Sequence, residues 1–159
     1  MKKQEFLELL KSLNACEDGV EWVKQHPSDD VQEILADCRA DWLAWLLRNR
    51  PEFVDLLDKS KLNGDDISWV LCKQPELIDK LELSKLNGHN ISWVLREQPE
   101  LIDSFGKSKL NGNDISQLLR FQPQLIGKFD LSKLDGDDIS WLLRLQPQLK
   151  KHFKIGENS

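Results

Sequence analysis

The stretch KSKLNGDDISWVLCKQP, residues 59–75, decides the fold, because near-copies of it follow along the chain. The copies are LSKLNGHNISWVLREQP (83–99), KSKLNGNDISQLLRFQP (107–123) and LSKLDGDDISWLLRLQP (131–147). Each copy begins 24 residues after the one before it. A fixed period of this length is typical of stacked repeat architectures, so the sequence predicts a repeat protein.

The apolar residues of one repeat predict an α-helix over residues 64 to 73. Ile67, Val70 and Leu71 follow the i, i+3, i+4 spacing of one helical stripe. Asn63 can cap the start of this helix, and Asp66 stands three residues later, as in a capping box. The repeated glycines are expected to be turn residues at the helix entries, and they are Gly64, Gly88, Gly112 and Gly136.

A repeated proline turns the chain into a second, shorter helix. Pro75 disfavours helical geometry at Gln74 but suits the first turn of a new helix. Leu77 and Leu81 lie four residues apart in that helix, and an extended or 3₁₀ link such as residues 83–86 leads to the next repeat. One repeat holds too few apolar side chains to offset the entropy of ordering its own chain, so neighbouring repeats must cover each other.

We therefore predict an all-α fold, an α-solenoid of about five 24-residue helix–proline–helix repeats behind an N-terminal helical cap. The cap spans residues 1–40. The repeats span residues 41–153, because residues 41–51 align with 65–75, and residues 154–159 form a polar tail. The whole chain is expected to be one cooperative unit.

The repeated sequence resembles repeats of other proteins. The block LSKLNGHNISWVLREQPELID, residues 83–103, resembles tandem repeats of bacterial and phage proteins that follow a frame SKLDG…S.LL..QP. Residues 14–47 are similar to a helical module of phage and bacterial proteins, and the period is similar to that of leucine-rich repeat variants, which alternate α and 3₁₀ helices. The resemblance implies a helical repeat architecture and a mobile-element origin, and it implies no catalytic residue.

Charge and composition exclude some classes of function. The formal net charge of -5 argues against direct binding of nucleic acid, which needs a concentrated basic surface. No apolar run approaches the roughly 20 residues that cross a bilayer, so no membrane contact is expected. Three cysteines leave at least one unpaired, and the charged start of the chain lacks a signal-peptide core, so we expect a cytoplasmic protein.

The sequence shows no pattern of a catalytic or metal site. Cys16, His26 and Cys38 lack the paired spacing of structural zinc sites, so buried structural cysteines are the expectation. Cys72 replaces an arginine that the other repeats carry. The histidines are scattered, and no nucleophile triad or glycine-rich phosphate loop is present. We expect no enzyme activity, no cofactor and no metal.

Acidic residues at the helix starts have two interpretations. The pairs Asp65–Asp66 and Asp137–Asp138, with His89–Asn90 and Asn113–Asp114 between them, could form a ridge that mimics nucleic-acid phosphates. Alternatively, these side chains cap the helices and complement their dipoles, which is the interpretation we favour.

A tryptophan column is the most specific candidate for a binding surface. At about 100° per residue, Trp69 lies about 200° from Ile67 and points away from the apolar stripe. The candidate partner-binding residues on this face are Trp45, Trp69, Trp93, Gln117, Phe121, Trp141 and Leu145. Gln117 replaces the tryptophan of its repeat, and Phe121 follows one turn later. The alternative is that the rings lie between adjacent helices with the repeated arginines stacked on them.

Two functions fit these features. The first is a non-catalytic interaction module that binds another protein stoichiometrically through the aromatic face. The second is a phage or mobile-element inhibitor of a host nucleic-acid defence enzyme, of the anti-CRISPR or anti-restriction type. Full burial of Trp69, Trp93 and Phe121 would remove the proposed face. The oligomeric state is not indicated by the sequence.

Overall fold

The computed structural model describes residues 1–154, whose regular structure is helical except for one isolated bridge between Lys2 and Asp30. Eight α-helices lie in this part of the chain: α1 (Lys3–Ser12), α2 (Glu17–Gln25), α3 (Val31–Asp37), α4 (Ala40–Asn49), α5 (Gly64–Leu71), α6 (Gly88–Glu97), α7 (Gly112–Phe121) and α8 (Gly136–Leu145). None of the described helices is long and apolar enough to cross a membrane. The predicted all-α repeat fold is confirmed. Of the predicted tail, residues 154–159, all but the first lie outside the described residues.

Short 3₁₀ helices connect the repeat helices and fall into two groups. Those that begin on the repeated proline are Pro51–Asp55, Pro75–Lys80, Pro99–Ser104, Pro123–Lys128 and Pro147–His152. Those that precede a helix cap are Lys59–Lys61, Leu83–Lys85, Lys107–Lys109 and Leu131–Lys133. Proline suits the first turn because its missing N–H would have no helical partner there. The predicted helix–proline–helix order is therefore confirmed, and the second helix is of the 3₁₀ type.

Each repeat helix from α5 to α8 begins with a reciprocal capping box. The side chain of Asn63 accepts a hydrogen bond from the N–H of Asp66 at 2.9 Å, and the Asp66 carboxylate accepts one from the N–H of Asn63 at 3.1 Å. The same arrangement occurs at Asn87 and Asn90, Asn111 and Asp114, and Asp135 and Asp138. The capping box predicted at Asn63 and Asp66 is confirmed. α5 ends at Leu71, slightly earlier than expected, because the chain turns at Cys72.

The chain forms two compact units, Met1–Glu82 and a second unit that begins at Leu83. The first unit contains α1 to α5, and the side chain of Asp30 caps α3 by accepting a hydrogen bond from the N–H of Gln32. The ring centroid of Phe6 in α1 lies 5.9 Å from that of Phe53, which follows α4. The N-terminal helices therefore share an apolar core with the first repeat.

The apolar stripe predicted within each repeat is buried. Ile67, Val70 and Leu71 have no exposed surface. The equivalent residues of α6 and α7 are at most 1% exposed, and they are Ile91, Val94, Leu95, Ile115, Leu118 and Leu119. In α8, by contrast, Leu142 is buried but Ile139 is half-buried. α8 is the last α-helix of the described chain, so no further repeat helix of that part covers it.

The repeats of the second unit pack so closely that two glycines have no room for a side chain. A Cβ atom at Gly88 would overlap the carbonyl oxygen of Lys109 and Oδ2 of Asp114, both in the next repeat. A Cβ atom at Gly112 would lie 2.6 Å from Oδ2 of Asp138. Gly88 and Gly112 are the first residues of α6 and α7, so they stand at the helix entries as expected. The contacts with the next repeat are an additional reason for glycine at these two positions.

Two repeated polar side chains bind successive repeats together. The ammonium group of Lys133 donates to the carbonyl of Leu110 at 2.8 Å, and the amide Nε2 of Gln122 donates to the carbonyl of Arg96 at 2.6 Å. Equivalent bonds join Lys109 to Leu86, Gln146 to Arg120, Lys61 to Cys38 and Gln74 to Arg48. The carbonyls at helix ends lack an intrahelical partner, so the glutamine bonds satisfy groups that folding would otherwise leave unpaired.

Candidate protein-binding site

A groove of about 390 Å³ lies between α6 and α7 in the second unit. Its main walls are Trp93 and Arg96 of α6 and Gln117, Leu118 and Phe121 of α7, and the side chains of His89 and Asp114 also line it. These positions repeat along the chain, because Gln117 stands 24 residues after Trp93. The groove therefore contains three of the residues that the sequence assigns to the aromatic face.

The second unit exposes large apolar side chains at this groove and beside it. Trp93 is 37% exposed, Phe121 46% and Leu145 42%. Phe121 and Leu145 occupy the same position in successive repeats, one helical turn after Gln117 and Trp141 respectively. Trp141 is half-buried, and Gln117 is exposed. Each of the helices α6, α7 and α8 thus exposes one large apolar side chain, at one of two repeat positions that lie one helical turn apart.

The repeated arginines stack on aromatic rings of the following repeat. In the first unit, the guanidinium of Arg48 lies 4.1 Å from the ring centroid of Trp69 and donates a hydrogen bond to the Trp69 carbonyl. In the second unit, the guanidinium of Arg120 lies 5.6 Å from Trp141. A guanidinium over a ring is attracted by the negative face of the aromatic system. Both of these tryptophans are half-buried, and the guanidinium covers part of each ring.

The groove between α6 and α7 departs from that pattern because its repeat has no tryptophan. The guanidinium of Arg96 lies 4.8 Å from the ring of Phe121, on the face where Gln117 replaces the tryptophan. The Nε atom of Arg96 also pairs with Oε1 of Glu97 at 3.1 Å. Arginine stacking is thus retained, but the aromatic ring that receives it has moved one turn along the helix.

Trp45 and Trp69 belong to the first unit, whereas the other candidate residues belong to the second. Both are half-buried. They line a cavity of about 360 Å³ together with Trp22 and Trp42, whose ring centroids are 5.7 Å apart at an interplanar angle of 67°. Trp22 and Trp42 belong to the N-terminal helices, so the sequence reasoning, which followed the repeat column alone, did not assign them to a site.

The acidic residues of the helix starts are engaged in capping. The carboxylates of Asp66, Asp114 and Asp138 each accept a hydrogen bond from the backbone of their own N-cap residue. Asp114 is only 7% exposed, and its Oδ2 atom lies against the Cα position of Gly88. One carboxylate of each acidic pair is thus directed toward the protein backbone.

The cysteines do not share one environment. Cys38 is buried as expected, and this burial raises the pKa of its thiol to about 11. Cys16 is exposed, so the expectation was wrong for this residue, which precedes the first residue of α2. Cys72 is half-buried. Within residues 1–154, no group of three or more cysteine, histidine or acidic side chains could hold a metal ion. His26 instead contacts Asp37, with 3.2 Å between Nε2 and Oδ2.

The sequence analysis gave arginine stacking as the alternative for the tryptophan rings, but it did not assign the arginines to the site. Arg96 and Arg120 flank the ring of Phe121, at 4.8 and 5.1 Å from its centroid. The signal was present in the sequence, because arginine recurs at Arg48, Arg96, Arg120 and Arg144 in the repeat frame. A positively charged residue that recurs three positions after a tryptophan indicates a structural partner for an aromatic ring.

Comparison with protein-family models, with curated proteins and with solved structures finds no match to this chain.

Proposed function

We propose that this protein is a non-catalytic interaction module that binds another protein stoichiometrically through the aromatic face of its second unit. The observation that carries the proposal is the exposure of Trp93, Phe121 and Leu145 on three successive helices, at two repeat positions that lie one helical turn apart. Clustered exposed apolar side chains mark interaction sites on soluble proteins more often than they serve the fold.

The chemistry of the face is typical of protein interfaces. Tryptophan, phenylalanine and arginine are enriched where proteins bind each other, and tryptophan and arginine dominate the energetic hot spots. Trp93 and Phe121 supply the aromatic surface, while Arg96 and Arg120 border Phe121 with cations. Each aromatic side chain can bury about 150–250 Å² in total, so full coverage by a partner would remove a large apolar area from water.

The alternative, a mobile-element inhibitor that mimics nucleic-acid phosphates, would use the acidic residues at the helix starts. Those carboxylates would have to face a basic surface of the target enzyme. Asp66, Asp114 and Asp138 already bond to backbone N–H groups of their own helices. The aromatic face therefore supports protein binding better than the acidic residues support mimicry. A bacterial or phage origin, which the resemblance implies, is compatible with either function.

The experiment is affinity capture from a bacterial lysate with the immobilised full chain, compared with Trp93→Ala and Phe121→Ala variants. The matched control is Leu56→Ala, because Leu56 is 46% exposed but lies in the first unit. We expect a protein that the wild type and the control capture and that both aromatic variants lose. With that protein purified, calorimetry should give one stoichiometric site that Trp93→Ala weakens by about 10-fold or more, as at a hot spot.

The proposal fails if no captured protein depends on either aromatic side chain. It also fails if the Leu56→Ala variant loses the same protein, because the capture would then reflect general surface hydrophobicity. Circular dichroism of each variant establishes that the helical fold is retained.

A further inference from the structure

The groove between α6 and α7 lacks the side chain that its counterparts contain. Between α4 and α5, the ring of Trp69 lies under Arg48, and between α7 and α8, Trp141 lies near Arg120. At the equivalent position of α7 the chain has Gln117, a smaller and exposed side chain. The space of about 390 Å³ remains open beside it.

We propose that this groove binds an indole side chain that the partner protein presents, in the place that tryptophan holds in the other repeats. The proposal rests on the proposed function, since it identifies the group that the aromatic face recognises. The occupant follows from the chain itself, because between α4 and α5, and again between α7 and α8, an arginine of one helix lies against a tryptophan of the next.

The size and walls of the groove suit an indole. Its volume lies in the lower part of the range of about 300–1,000 Å³ that is usual for ligand pockets, which fits one aromatic side chain rather than a large molecule. Leu118, which is 1% exposed, provides an apolar wall. The exposed ring of Trp93 lines the groove from α6, and that of Phe121 lines it from α7. Aromatic rings prefer offset or edge-to-face contacts with such neighbours.

The charges at the groove select an aromatic group over other apolar or charged ones. The guanidinium of Arg96 lines the groove and already lies over one ring, Phe121, at 4.8 Å. A cation attracts the face of an indole, as Arg48 and Arg120 do in the other grooves, but it gains nothing from an aliphatic side chain and repels a lysine or arginine. The Gln117 amide oxygen can accept the indole N–H, because asparagine and glutamine oxygens are good acceptors.

The Asp114 carboxylate, in contrast, is not the expected acceptor. Its Oδ2 atom accepts the N–H of Asn111 at 3.1 Å and packs against Gly88. Binding through Asp114 would disturb the start of α7, whereas binding through Gln117 would leave the helix unchanged. Recognition of the indole N–H therefore depends on Gln117, the residue that replaces the repeated tryptophan in α7.

The test is a titration of the isotope-labelled full chain with N-acetyl-tryptophanamide, followed by NMR. We expect saturable shifts of the Gln117 side-chain amide and the Trp93 indole N–H. The variant Gln117→Trp fills the groove from within, so it should lose the shift at Trp93. The matched control Gln32→Trp adds a tryptophan at an exposed position of α3 and should retain both shifts.

Several results would overturn the inference. These are the absence of saturable shifts at millimolar probe, their persistence in Gln117→Trp, and equal shifts with N-acetyl-leucinamide at the same concentration. Shifts at the same residues that grow with protein concentration alone would show that a second copy of this chain supplies the group, which also contradicts a separate partner.

The test separates the two proposals. If Gln117→Trp still captures the partner that Trp93→Ala loses, the indole inference fails and the interaction module stands. If the probe binds as expected but no captured protein depends on Trp93 or Phe121, the proposed function fails and the groove remains an indole-binding site.

Discussion

Alanine substitution at the repeated glycines should destabilise the protein where a described neighbouring repeat packs against the glycine, and not where the described chain leaves space beside it. At Gly88 the new Cβ atom would overlap the carbonyl oxygen of Lys109, and at Gly112 it would lie 2.6 Å from Oδ2 of Asp138. At Gly136 a Cβ would meet nothing within 4 Å of the described chain. The three sites share the same position at the start of a helix, so Gly136→Ala is a matched control.

The magnitude follows from two opposing effects. Overpacking of a filled site costs about 1–3 kcal/mol. The cost should lie at the upper end for both variants, because at each site one obstructing atom is a backbone carbonyl oxygen, of Lys109 or of Lys133, which cannot rotate away. Replacing glycine with alanine where the backbone permits it contributes about 0.4–1 kcal/mol in the other direction. We expect a net loss of about 1–2 kcal/mol for Gly88→Ala and Gly112→Ala, and a small gain for Gly136→Ala.

The measurement is urea unfolding followed by circular dichroism at 25 °C, with the free energy of unfolding compared across the three variants. A change of midpoint at constant slope reports stability itself, whereas a change of slope indicates that repeats unfold separately. If Gly88→Ala and Gly112→Ala are as stable as Gly136→Ala, the close packing of successive repeats does not explain these glycines.

Three further predictions concern other parts of the chain. At pH 8, iodoacetamide should modify Cys16 much faster than Cys38, because a pKa of about 11 leaves only about one thiol in a thousand ionised; equal rates by peptide mass mapping would contradict the burial of Cys38. Lys133→Met should lower the free energy of unfolding by about 1–2 kcal/mol, because the variant loses hydrogen bonds to backbone carbonyls. The control Lys128→Met breaks only an exposed ion pair, so it should lower the free energy of unfolding by less than about 1 kcal/mol. Gln117→Trp should raise the free energy of unfolding by about 0.5–1 kcal/mol, since the new ring can stack with Arg96; an unchanged or lower midpoint in urea would show that the groove does not accept an indole.

The sequence predicts the elements of each repeat well because their signals are local. Asn63 and Asp66 cap a helix within the same turn, and Pro75 acts on its own neighbours. The buried stripe of Ile67, Val70 and Leu71 follows directly from helical periodicity. These interactions need no knowledge of which residues meet across repeats.

The packing between repeats could not be predicted in the same way. The restriction on Gly88 comes from a carbonyl oxygen 21 residues later, at Lys109, and nothing in the local sequence distinguishes such a glycine from a turn residue. The helical angle placed Trp69 and Trp93 alike on the outer face, but Trp69 is half-buried under Arg48 whereas Trp93 is exposed. Their difference depends on a neighbouring helix rather than on their own.

The bonds between lysine, glutamine and backbone carbonyls have a consequence for how such a chain can change length. Each repeat brings the donors that reach backward and the glycine and carbonyls that receive the next repeat, as Lys133 and Gly112 show. An in-frame duplication of one repeat would therefore insert a segment that already fits on both sides. Deletion of a whole repeat would likewise rejoin matching surfaces. Duplication can therefore extend this protein, and deletion can shorten it, in whole repeats, while point changes such as that at Gln117 diversify its surface.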